Sequence, residues 1–194
     1  MNKPTAHTAA SITASFPIPV LTAIATATSL PTFATIRLTQ TQLNSNAVTV
    51  PSHEGDGIHG HLALTLTPAA YVIRSGGFPF TAPVNGPCQP DHPVPSTGPQ
   101  IAEISRLFYD NQTVFRTYIE TDKALHNQLL AAIPADYLHR LADAELGLGG
   151  VTCLAILMHL QLVTRRVTIV FAGTTKHDLQ KSNNYAVLAN VPRR

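Results

Sequence analysis

The chain has no tryptophan and only two cysteines, and just 12% of its 194 residues are charged. Cys88 and Cys153 stand far apart and form no Cys-x-x-Cys pair, so neither a disulfide framework nor a four-ligand zinc site is implied, and a reducing, cytoplasmic setting is expected. No apolar run approaches the roughly 18 residues needed to span a bilayer, so no membrane partner is expected. The stretch from Val20 to Leu30 is small and apolar like the hydrophobic part of a signal peptide. A single preceding cation, Lys3, and the prolines Pro17 and Pro19 at its start argue against that reading. There is no His-Glu-x-x-His to set two metal ligands one helical turn apart, and no Lys-Ser or Lys-Thr follows a glycine-rich turn to make a phosphate loop.

What is present is enough for one domain with tails. The 44% of hydrophobic residues is swollen by alanines that alternate with Thr and Ser in residues 1–30, a segment with little to bury and expected to be disordered. Charge divides at residue 164: Arg165, Arg166, Lys176, Lys181, Arg193 and Arg194 face only Asp178 beyond it, while the rest of the chain is mildly acidic. A basic end on an acidic body suits contact with nucleic acid, which makes these six cations the candidate nucleic-acid-binding residues.

Helical spacing dominates the middle of the chain, and the expected fold class is all-α. Ile36, Leu38, Leu43 and Ala47 suit one amphipathic helix, and Thr67-Pro68 supplies a cap and first turn for a short helix to Arg74 that turns Tyr71 inward. Residues 76–99 hold seven prolines and four glycines and are expected to be an irregular loop. Ile101, Ile104, Phe108, Phe115, Tyr118, Leu125, Leu129 and Ile133 then recur on one helical face, which predicts a helix of about 30 residues. Pro134 breaks it, and a short helix carrying Tyr137, Leu138 and Leu141 is expected to follow. Val151 to Leu162 is apolar nearly all round, the pattern of a buried central helix. The expected division is a disordered segment at 1–30, a helical domain at 31–163 and a basic tail at 164–194.

The densest chemistry lies in His53, Glu54, Asp56, His59 and His61, interleaved with Gly55, Gly57 and Gly60. These groups include enough oxygen and nitrogen donors for a divalent cation or for acid–base work, and a small metal-dependent hydrolase built on His53, His59 and His61 is one alternative. Their spacing fits better with histidines that hydrogen-bond the backbone of a turn, Gly60 allowing close approach. Cys88-Gln89-Pro90-Asp91-His92 sets a thiol near a base, but in the Pro-rich loop where nothing holds it rigid. Cys153 and His159 read as packing residues of the last helix, and Gly147-Leu148-Gly149-Gly150 as turn and helix-end chemistry. No catalytic residue, metal ligand, cofactor or small-molecule substrate is assigned, and an enzyme is not expected.

Asn46-Ala47, the run Gly57-Ile58-His59-Gly60-His61-Leu62-Ala63-Leu64-Thr65, Pro68-Ala69-Ala70-Tyr71, Asp122-Lys123-Ala124-Leu125, Ile133-Pro134, Leu141-Ala142 and Val151-Thr152-Cys153-Leu154 occur in an order and spacing that resemble the Gag polyprotein of copia-type LTR retrotransposons. The resemblance covers roughly residues 31–163 and implies a capsid-like helical bundle that self-associates, as a homo-oligomer, into particles around RNA. The Cys-Cys-His-Cys zinc knuckle and the Asp-Ser/Thr-Gly of an aspartic protease do not occur, and Arg165 to Ala172 departs from the family's continuation, so a truncated form is expected. Two readings stand beside the structural one: a nucleic-acid-binding protein acting through the basic tail, and an element fragment without retained function.

Overall fold

A computed structural model describes residues 8–25, 30–53, 58–86 and 89–164. The fold is all-α. Its elements are α1 (Ala9–Ser15), α2 (Phe33–Thr49), α3 (Pro68–Arg74), α4 (Gly98–Ala131) and α5 (residues 153–164), with short 3-10 turns at Leu62–Leu64 and Ala135–Tyr137. The β-type pairing among the described residues is one isolated bridge, Asp143 with Gly147.

Threonine, which lowered the prospects of a core in the sequence, serves here as the helix starter. The hydroxyls of Thr8, Thr32, Thr67 and Thr152 accept hydrogen bonds from the amides of Ser11, Thr35, Ala70 and Ala155 at 3.1–3.2 Å. Each satisfies an amide that the first helical turn leaves without a partner. Pro68 occupies the first turn of α3 and Pro99 that of α4, where a missing N–H costs nothing.

Three helices meet along stripes of the same period. Ile36, Thr39, Leu43, Asn46 and Ala47 of α2, Ala124, Leu125, Gln128 and Leu129 of α4, and Cys153, Ile156, Leu157 and Leu160 of α5 are buried at intervals of three and four residues. The apolar members form one core cluster, extended by Val50, Ala132, Ile133 and Leu138. At about 25 cal/mol per Å² of apolar surface, such clusters supply most of the drive to fold.

Several expectations need correction. Residues 8–25, placed in the segment expected to be disordered, contribute Ile12, Phe16, Leu21 and Ile24 to the core cluster. These large apolar side chains recur within a background of Ala and Thr, and the body beneath offers them a groove; average composition concealed the pattern. The helical domain therefore starts before residue 31. The loop expected at 76–99 ends at Thr97, because Gln100 accepts the Thr97 amide at 2.8 Å and opens α4 at Gly98. Beyond Pro134 there is only a 3-10 turn where a short helix was expected. Oδ1 of Asp143 accepts the amides of Glu145 and Leu146 at 2.9 and 3.0 Å, a local bonding pattern that competes with helix. α5 is buried on one side and not all round, since Met158 and Leu162 are exposed.

The long helix matches its expected span, and at 34 residues it measures roughly 50 Å at about 1.5 Å per residue. Its stripe does not stay buried. Fully buried positions begin at Thr121; before it Ile104, Phe108, Phe115 and Tyr118 are only partly covered and Ile101 is 38% exposed, while Leu107 and Tyr109, off the stripe, are 47% and 63% exposed. The N-terminal half of α4 runs beyond the core.

Candidate functional site

The His-Gly-His turn is built on the end of α2. Gly60 has φ +48°, and a β-carbon there would stand 2.5 Å from the carbonyl oxygen of Val48 and 2.7 Å from that of Ala47. Only glycine lets the turn approach this closely. The amide of His61 then donates to the Ala47 carbonyl at 2.8 Å, and its ring Nδ1 lies 3.0 Å from the carbonyl oxygen of Val50. A carbonyl only accepts, so Nδ1 carries the proton. Burial lowers the pKa of His61, the bond to Val50 opposing the shift. The buried ring thus closes the C-terminal end of α2 through its Nδ1–H.

The turn carries an aromatic arc. His59 meets Tyr71 edge-on at 6.3 Å between centroids, Tyr71 meets Phe80 at 5.5 Å, Phe80 stacks on Tyr118 at 6.0 Å, and Tyr118 faces His61 at 6.1 Å. Phe80 comes from the Pro-rich loop and ties it to both α3 and α4. Favourable ring pairs contribute about 0.5–1.5 kcal/mol each beyond the area they bury. A cleft of about 210 Å³ opens beside the arc, bounded by His53, His61, Phe80, Pro83, Thr113 and Tyr118.

The residues singled out as possible ligands do not converge. His53 and His61 border that cleft, whereas His59 borders a separate groove of about 680 Å³ between α2 and α3. Glu54 and Asp56 lie outside the described residues, as do Cys88, its neighbour Pro87, and all six tail cations Arg165, Arg166, Lys176, Lys181, Arg193 and Arg194. Among the described residues no group of three or more His, Cys, Asp or Glu side chains could hold a metal ion. No helix among them is long and apolar enough to cross a membrane.

A second titratable cluster joins α4 to α5. Burial raises the pKa of Asp122, His126 opposing it, and burial followed by the Asp122 charge raises that of Tyr118. Burial pushes the Cys153 thiol up to about 12, Asp122 adding to the shift. Nucleophilic attack needs the thiolate, so at neutral pH Cys153 is a packing residue. His159 Nε2 lies 3.2 Å from the Tyr137 carbonyl and joins α5 to the turn after α4. Gly147, at φ +58°, forms the tight turn back to Asp143.

The remaining feature is the free half of α4. Glu103, Arg106 and Asp110 form exposed ion pairs at 2.7 Å along one side. Exposed pairs of this kind contribute little to stability. Ile101, Ile104, Phe108 and Phe115 lie toward the opposite side by helical phase; Ile101 is exposed and the other three are half-buried, so the segment is amphipathic and only partly covered.

No protein-family model matches the chain, no curated protein matches its sequence, and no solved structure matches its fold. Sequence reading missed two groups that hold the architecture together: Phe80, hidden among prolines, and the amide pair Asn46 and Gln128. The signal for the pair was a polar residue at a buried phase of each helix.

Proposed function

We propose that this chain is a Gag-like structural protein, which self-associates into capsid-like particles and packages RNA with its basic C-terminal segment. The observation that carries this reading is the N-terminal half of α4, where Ile101 at the start of the apolar stripe and Leu107 and Tyr109 on its flanks are exposed, while the helix is rooted in a helical core at Thr121 and beyond. Apolar surface held on a rigid helix is suited to burial against another protein surface. The order of the His-Gly-His-Leu-Ala-Leu stretch and the later helical motifs supports the copia-type assignment, and the surplus of cations after residue 164 supports the RNA contact.

Light scattering across a concentration series, paired with electron microscopy, tests self-association; a strict monomer at the highest concentration refutes it. Removing residues 165–194 tests the RNA contact. Retention of RNA should fall, and binding by the full chain should weaken steeply with salt as counterions are displaced less favourably. Undiminished retention by the shortened chain would refute the role of the tail.

A further inference from the structure

The groove between α2 and α4 holds residues 16–25 of its own chain much as a peptide-binding site holds a ligand. Asn46 takes both backbone groups of Ile18: its Nδ2 donates to the carbonyl at 2.7 Å and its Oδ1 accepts the amide at 3.1 Å. Gln128 Nε2 donates to the carbonyls of Ile18 and Pro19 at 3.0 and 2.8 Å. Further along, Gln42 Oε1 accepts the Thr22 amide at 2.9 Å, Thr39 Oγ1 donates to the Thr22 carbonyl at 3.1 Å, and the Ile24 amide donates to the Ala132 carbonyl at 2.9 Å. The apolar anchors Phe16, Leu21 and Ile24 are buried in the shared core. Upstream, α1 packs on α4, and the Glu120 carboxylate accepts the Ala9 amide at 2.8 Å.

This arm has no helix or strand of its own between residues 16 and 25. Pro17 and Pro19 bar it from coiling, which lowers the entropy lost when it is bound. Its affinity comes from side-chain amides that read backbone, with pockets that take the side chains.

We propose that residues 8–25 are exchanged between copies of this chain, the arm of one molecule filling the α2–α4 groove of its neighbour in the assembly. A second copy is the occupant because an identical arm reproduces every one of these bonds, so exchange sacrifices no contact and links the two chains. The connection from Ala25 to Leu30 is five residue steps, at most about 18 Å of extended chain at about 3.3–3.6 Å per residue. Exchange is therefore confined to a neighbour whose groove opens within that reach. An empty groove would take Phe16, Leu21 and Ile24 out of the core cluster and strip Asn46 and Gln128 of their bonds to Ile18, so the arm is traded and not merely released. The inference rests on the self-association reading, and names the contact that assembly uses.

The Thr22 and Gln42 side chains touch at 2.9 Å on the exposed side of the groove, which makes them a reporter pair. In a full-length C88S background, with Cys153 buried, chains carrying T22C and chains carrying Q42C are given different tags, co-expressed and treated with a short thiol crosslinker. A covalent heterodimer in the assembled fraction, with neither chain crosslinking to itself, is expected. The T22C/Q42C double variant should run as a covalent dimer from the assembled fraction and as a monomer from the monomeric one. An A9C and E120C pair repeats the test should the first disturb folding. An assembled fraction that crosslinks only within single chains overturns arm exchange alone. A protein that never assembles and crosslinks only internally overturns both arm exchange and self-association.

Discussion

The side-chain amide of Asn46 donates to Oε1 of Gln128 at 2.9 Å, joining α2 to α4 inside the core, while both residues hold the carbonyl of Ile18. Truncating Asn46 takes the hydrogen bond from Gln128 Oε1 and from the Ile18 amide, while Gln128 Nε2 keeps the carbonyls of Ile18 and Pro19. Asn46→Ala should lower the unfolding free energy by about 1–3 kcal/mol, the usual cost of a buried group left without its hydrogen bond. Urea titration would register this as a lower midpoint with little change in slope. An unaltered midpoint would remove the pair from the account of what joins the arm to the core.

Gly60 and Gly76 provide an internal comparison of two glycine costs. Both have positive φ, at +48° and +73°, but a β-carbon at Gly76 meets nothing within 4 Å while one at Gly60 strikes the Val48 carbonyl. Gly76→Ala should cost only the left-handed backbone penalty, about 1–2 kcal/mol. Gly60→Ala should cost clearly more, because α2 and the His61 turn must separate. Equal thermal shifts for the two variants would contradict the close approach seen here.

The His61 shift has a definite sign. Its folded pKa lies below the ordinary value near 6.5, so the unfolded chain binds the proton more readily, and stability rises with pH between the two values. The contribution is complete above about pH 6.5, and it is lost as pH falls from there through the folded pKa. Asp122, raised by burial, acts with the opposite sign, so the comparison must be with a variant and not with a raw slope. His61→Asn retains a donor and cannot titrate. Its stability should fall less steeply than that of the wild type as the pH is taken below 6.5; parallel curves for the two proteins would exclude His61 as the source.

Ile101 and Leu107 sit where α4 has left the core, so a charge at either should spare the fold. The I101E/L107E variant is expected to unfold within about 0.5 kcal/mol of the wild type per substitution, as exposed sites usually do. Its assembled fraction should fall severalfold at equal concentration, read by size-exclusion chromatography with light scattering. Assembly at wild-type levels would place the contact elsewhere on the molecule.

Much of the helical framework was legible from local chemistry. Thr67-Pro68 marked the start of α3, and Tyr71 is buried as its phase required. Gly60 between two histidines foretold a close backbone approach, and the ring of His61 does bond to backbone. His59 instead packs edge-on against Tyr71, a contact that depends on where α3 comes to rest. Phe80 was unreadable because aromatic pairing depends on distance in space, and nothing in a proline-rich segment announces which ring will be captured.

By itself the sequence determined most of the helical framework, α2 to α5, because caps, prolines and the three-to-four-residue period act between neighbours along the chain; it did not announce α1, and the helix it promised after Pro134 is a 3-10 turn. Only the tertiary structure decided which part of each helix is covered, since burial depends on what stands opposite. So one half of α4 enters the core and the other does not, though both carry the same apolar stripe. The arm of residues 8–25 is the plainest instance: its composition offered no core of its own, and the order it has was supplied by Asn46, Gln128 and a groove made by helices far along the chain.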